Sequence, residues 1–182
     1  AEDPGWSDPT TPRHVFGNTW FVGTCAISAI LVTSPDGHVL IDAATAEAVP
    51  AIIANIRAAG FLVEDIRTIL VTHEHNDHVG GVAGLQQASG ARVLAAVRRI
   101  EQAQVLLEVG RRVCRVPELD RSEGGPPGAN GETLVDGKDV AVGSLRFRHL
   151  PNTGHTSGCF GWAWRSCEDA ACRSIVFPDS NS

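Results

Sequence analysis

Ile66-Arg67-Thr68-Ile69-Leu70-Val71-Thr72-His73-Glu74-His75-Asn76-Asp77-His78 runs from an apolar segment straight into a cluster of metal-binding side chains. The first seven residues are mostly β-branched or apolar with little alternation, the pattern of a strand buried on both faces. Such a strand belongs inside a layered α/β domain. Four ligand-type residues follow within six positions: His73, His75, Asp77 and His78. Alternation along an extended backbone puts His73 and His75 on the same side. Asp77 and His78 fall where the next helix begins, so the turn carries them to a neighbouring position. Imidazole and carboxylate are good zinc ligands, and a catalytic zinc needs three protein ligands plus an open place for water. A second set beside the first points to a two-metal site. Taken singly, Asp77 reads equally as a helix N-cap, and a surface histidine as a solvated side chain. Four such residues at one strand end favour the metal reading.

Upstream, residues 19–25, 28–33 and 38–42 read as strands, with a turn at Pro35-Asp36-Gly37. Val49, Ile52, Ile53 and Ile56 recur at helical spacing, with Pro50 in the first turn and Gly60 as the stop. Downstream, 79–89 reads as a helix, 91–96 as a strand, 97–109 as a helix and 110–131 as a surface loop. Short strands are expected over 133–135, 139–142, 145–150, 158–164 and 174–177. Residues 1–18 read as an extended lead-in. Strands, then strand–helix alternation, then strands again give one α/β domain with mixed sheets over 1–182.

Two further segments bear on chemistry. Asn152-Thr153-Gly154-His155-Thr156-Ser157-Gly158 places a histidine in a Gly-flanked turn between two strands. Alone it is a turn histidine; with the first motif it supplies a third histidine for one zinc. Asp179-Ser180-Asn181-Ser182 puts two hydroxyls in alternation after a strand. It reads as a polar turn or as a seat for a substrate carboxylate.

Composition narrows the classes. The 182 residues are 43% hydrophobic and 20% charged, ordinary for a globular domain. A net charge of −6 argues against a nucleic-acid partner. Gly, Pro or charge interrupts every apolar stretch, so no membrane span is expected. The chain has no Met and begins Ala1-Glu2-Asp3-Pro4, which reads as an end left by signal-peptide removal or as an arbitrary boundary. Cys167 and Cys172 bracket Glu168-Asp169-Ala170-Ala171 and suit a small disulfide ring in an oxidising compartment. A zinc knuckle would need a second Cys or His pair nearby, and none is present. Cys25, Cys114 and Cys159 have no evident partners.

His73, His75, Asp77 and His78, with Gly154-His155-Thr156, resemble the signature of the metallo-β-lactamase superfamily. Gly17-Asn18-Thr19-Trp20 and Ile41-Asp42 are similar to that family as well. The Asp77-His78 pair resembles subclass B3. Subclass B1 has Arg where His78 stands and a zinc-binding Cys where Ser180 stands. The Cys167–Cys172 loop also resembles secreted B3 enzymes, and the likeness runs from about Gly5 to the last residue.

The resemblance implies an αββα sandwich with the metals at the sheet edges. It implies a first zinc on His73, His75 and His155, and a second on Asp77 and His78. It implies contacts from Ser180 and Ser182 to the carboxylate of a β-lactam antibiotic. The implied activity is hydrolysis of the β-lactam amide by a zinc-activated hydroxide, conferring resistance, in a periplasmic or secreted enzyme. Asp77 would also orient that hydroxide, while Glu74 and Asn76 alternate away. A lactone or thioester hydrolase of the same superfamily is the nearest alternative, and a non-catalytic zinc-binding fragment the next. One departure stands out: the family's second zinc takes a further His from a later strand, and no His follows His155. The last strands and helices of the sandwich are missing as well. The expectation is a truncated chain, one completed by another chain, or one with a weakened second site.

Overall fold

One seven-stranded sheet with two buried faces organises the chain. The computed structural model describes residues 5–96, 131–134, 139–151 and 159–178. The large sheet holds β1 (Arg13–Phe16), β2 (Thr19–Phe21), β3 (Ile30–Val32), β4 (His38–Ile41), β5 (Ile66–Val71), β6 (Arg92–Ala96) and β7 (Gly131–Leu134) in chain order. Pairing is antiparallel from β1 to β4 and parallel from β4 to β7. A second, antiparallel sheet is built from β8 (Val140–Val142), β9 (Leu145–Pro151), β10 (Phe160–Glu168) and β11 (Ala171–Phe177). Three helices are described: α1 (Val49–Ala58), α2 (Asn76–Val79) and α3 (Val82–Ser89).

The two faces of the large sheet explain its nearly continuous apolar runs. Leu31, Leu40 and Ile69 point to one side and pack with Ile52 and Ile56 of α1 and Leu85 of α3. Ile30, Val32, Val39, Ile41 and Leu70 point to the other and meet Phe147, Trp162 and Trp164 of the second sheet. Alternation therefore sorts residues between two cores rather than between core and water. Fully burying a side chain such as Leu40 or Phe147 stabilises by about 1.5–3 kcal/mol. The result is a helix layer and two packed sheets, three successive layers of the expected αββα sandwich.

Several local expectations change. The lead-in contains β1, an exposed edge strand paired with β2. The strand expected over 19–25 stops at Phe21. Beyond it the chain turns back, with Thr24 N–H donating to the Ile27 carbonyl at 2.9 Å. The single helix expected over 79–89 is two, α2 and α3, parted at Gly80-Gly81. A Cβ on Gly81 would lie 2.2 Å from the Ala43 carbonyl oxygen, so the break comes from a close backbone approach. The β10–β11 hairpin is longer than either expected strand, with Cys167 paired to Cys172 at its tip and joined to it by a disulfide. Cys25 is exposed and its Sγ donates to the Pro9 carbonyl, whereas Cys159 is buried. The helix expected over 97–109, nearly all of the 110–131 loop and Cys114 lie outside the described residues. Gly131 itself begins β7. No described helix is long and apolar enough to cross a membrane.

Candidate metal centre

Strand β5 is buried along its length except at Arg67, and its direction fixes where the next residues emerge. They emerge at the C-terminal end of the parallel strands, where ligand sites of α/β sheets form. Thr72 and His73 are buried, Glu74 and Asp77 are half-buried, and His75 and Asn76 are exposed. His75 has extended backbone and serves as the N-cap position of α2, whose first turn carries Asp77 and His78. That short helix is pinned from below: Ala43 N–H donates to the His78 carbonyl at 2.9 Å and Gly81 N–H to the Ala44 carbonyl at 3.0 Å.

The side chains converge. One ligand atom each from His73, Asp77 and His78 lies within 4.8 Å of the others. The His73 and His78 ring centroids are 4.0 Å apart, and those of His73 and His75 are 4.7 Å apart. His78 Nε2 lies 3.5 Å from an Asp77 carboxylate oxygen. Two imidazoles and a carboxylate focused on one small volume are the donor set of a zinc or similar divalent ion. The residues present therefore fit a metal. His155, Ser180 and Ser182 lie outside the described residues.

A carboxylate absent from the metal-ligand motif supports the cluster. Asp42 follows β4, is fully buried and has φ of 60°. That left-handed conformation is uncommon outside Gly, though Asp and Asn adopt it most readily among the rest. Asp42 Oδ1 accepts the Thr72 N–H at 2.8 Å, and Oδ2 accepts the Thr72 hydroxyl at 2.8 Å. Oδ2 also accepts from His78 Nδ1 at 2.8 Å. Sequence reasoning saw Asp42 only as part of a family likeness. The signal it passed over was a carboxylate closing an apolar strand, which once buried needs partners. The lead-in is tied to the loop after Asp42 through Ser7 and to the turn after β2 through Trp6. The Ser7 hydroxyl lies 2.9 Å from that of Thr45, and the Trp6 carbonyl accepts from Thr24 at 2.6 Å.

Fold and site together define a class of layered α/β proteins with a metal-ligand cluster at the end of β5. A family model described as the metallo-beta-lactamase superfamily matches residues 22–168, and the chain belongs to that superfamily. Among solved structures it is similar to the metallo-β-lactamase MIM-1 from Novosphingobium pentaromativorans, at 44% identity and a TM-score of 0.81. The match covers 98% of this chain and 64% of that one. It is also similar to MEM-A1, a subclass B3 metallo-β-lactamase from a soil metagenome library. There the identity is 39% and the TM-score 0.77, over 96% of this chain and 65% of that one. A hydroxyacylglutathione hydrolase of Rhodopseudomonas palustris (strain BisA53) is 37% identical over 110 residues, 60% of this chain and 32% of that protein. The chain thus spans less than two thirds of the length of these relatives.

Proposed function

We propose that this chain carries the active site of a subclass B3-like zinc β-lactamase, with His73, His75 and His155 holding one zinc and Asp77 and His78 a second. The observation that carries the reading is the convergence of His73, Asp77 and His78 at the end of β5 in a chain alignable with MIM-1 over 98% of its length. Bound zinc would supply a hydroxide near neutral pH and polarise the scissile carbonyl. Asp77, open to solvent on one side, accepts a hydrogen bond from the attacking water and fixes its line of approach. Ser180 and Ser182 donate to the substrate carboxylate. The Cys167–Cys172 disulfide supports a periplasmic or secreted location.

A hydroxyacyl thioester is the second substrate class, favoured by the shorter likeness to the hydroxyacylglutathione hydrolase. The test is turnover of a chromogenic cephalosporin and of a hydroxyacylglutathione thioester, each with and without a zinc chelator. Chelator-sensitive cephalosporin turnover is expected. Thioester turnover alone would overturn the β-lactam reading while keeping the class. Turnover of neither would overturn catalysis by this chain and leave a zinc-binding piece.

A further inference from the structure

We infer that Asp42 and Thr72 are positioning residues that set the ring tautomer of one histidine in each of the two proposed zinc sites, and so tie those sites together. The inference rests on the metal reading above, but its geometry is separate. A carboxylate only accepts hydrogen bonds. The 2.8 Å contact between Asp42 Oδ2 and His78 Nδ1 therefore requires the proton on Nδ1. The lone pair of His78 is then left on Nε2, the atom facing Asp77 at 3.5 Å. A ring that donates from one nitrogen to a carboxylate is fixed in orientation and made a better ligand through the other.

Thr72 extends the constraint to His73. Its hydroxyl hydrogen is committed to Asp42 Oδ2 at 2.8 Å. Toward His73 Nδ1, 3.3 Å away, the same oxygen acts as acceptor. His73 Nδ1 then carries the proton and Nε2 is the ligand atom. The hydroxyl also lies 3.4 Å from His78 Nδ1. One carboxylate and one hydroxyl, both fully or almost fully buried, thus prepare a ligand for the first site and a ligand for the second. Asp42 is held for this task by the Thr72 N–H on its other oxygen.

Two substitutions separate the parts. In Asp42→Asn the amide oxygen must keep accepting the Thr72 N–H, because that backbone donor is buried. The amide NH2 then faces His78 Nδ1 and donates to it, driving the proton to Nε2. Asn also accepts the left-handed backbone at position 42. Thr72→Val keeps the β-branched shape and removes the hydroxyl that accepts from His73 Nδ1, whereas Thr72→Ser restores it.

The experiment is long-range proton–nitrogen NMR on the metal-free, isotope-labelled chain at alkaline pH, where imidazoles are neutral, with zinc affinity measured alongside by chelator competition. Wild type should show the Nδ1–H form at His73 and His78. Asp42→Asn should show the Nε2–H form at His78 and, because the Thr72 hydroxyl has then lost its acceptor, a smaller share of the Nδ1–H form at His73, whereas Thr72→Val should lower that share at His73 alone. Thr72→Ser should match wild type. Zinc affinity should fall on the order of 10- to 100-fold in Asp42→Asn and Thr72→Val. A wild-type His78 protonated on Nε2, or tautomers that do not respond to the substitutions, would overturn the inference. Failure of wild type to bind zinc, with tautomers as expected, would instead sink the metal reading.

Discussion

Strand β4 has a buried histidine at its start and leads to another beyond its end, and the two are held in opposite ways. His38, its first residue, accepts a hydrogen bond at Nδ1 from the Ser34 N–H, 3.3 Å away. His78, reached through Asp42 just past Ile41, donates from Nδ1 to a carboxylate. In the neutral ring an accepting Nδ1 puts the proton on Nε2, so His38 has no lone pair left for a metal. A donating Nδ1 leaves Nε2 of His78 open to one. The surroundings agree. His38 meets the edge of the Phe61 ring, 5.3 Å between centroids, beside a cavity of about 240 Å³ lined by Ser34, Asp36, Asp65 and Arg67 among others. His78 meets His73 and Asp77. Residue type and burial are shared, and the partner at Nδ1 decides which histidine supports a turn and which offers a ligand.

The largest break in that contrast comes at Asp77. Asp77→Ala removes the carboxylate that converges with His73 and His78 among the described residues and leaves those imidazoles in place. Metal-assisted transition-state stabilisation amounts to several kcal/mol, so turnover of the zinc-loaded chain should fall at least about a hundredfold. Steady-state hydrolysis of a chromogenic cephalosporin reads this directly, and near-wild-type turnover would remove Asp77 from the chemistry. A smaller effect is expected at Gly81. Its missing Cβ lets α2 settle on the loop after Asp42, and an added methyl would meet the Ala43 carbonyl at 2.2 Å. Backbone cannot swing aside as a side-chain end can. Gly81→Ala should destabilise by about 1–3 kcal/mol, read as a lower urea midpoint. An unchanged midpoint would show that α2 is not held by this approach.

The same contrast explains what the sequence made legible. Strand β5 announces itself by an apolar run because it buries residues in two cores, one on each face, and helix α1 by helical spacing because it buries one stripe in one core. The ligand cluster is legible because His73, His75, Asp77 and His78 sit within six positions. Cys167 and Cys172 are legible for a similar reason, being five residues apart at a turn. Asp42 is not, since its partners Thr72 and His78 lie 30 and 36 residues away. Pattern reading sees no hydrogen bond across that distance. The split between α2 and α3 was hidden likewise, because it depends on Gly81 touching Ala43 rather than on local propensity. β1 escaped notice because three of its four residues are exposed and carry no apolar alternation. His38 was read only as the first residue of a strand, although it is as buried as His78.

The smallest expected effect tests the His38 side of the comparison through pH. Burial pushes the His38 imidazole below its usual value near 6.5, partly opposed by the Asp65 carboxylate and by a backbone hydrogen bond with Ser34, and aided by Arg67. The folded state therefore binds this proton less readily than the unfolded chain. Over the interval between the folded and unfolded values the unfolded chain carries more protons, and stability rises with pH there. The contribution is complete above about 6.5 and is lost as pH falls through the lowered folded value. Asn is a suitable probe, since its side-chain oxygen can replace Nδ1 as acceptor without titrating. His38→Asn should lose some stability at neutral pH, because the ring contact with Phe61 goes. As pH falls below the usual histidine value it should approach or overtake wild type, because the acid penalty goes with it. Urea unfolding of the metal-free chain at several pH values gives both slopes, and the difference between them isolates His38 from the histidines of the metal centre. Parallel slopes would mean that His38 takes up a proton in the fold as easily as out of it, and that the two ends of β4 differ less than their hydrogen bonds imply.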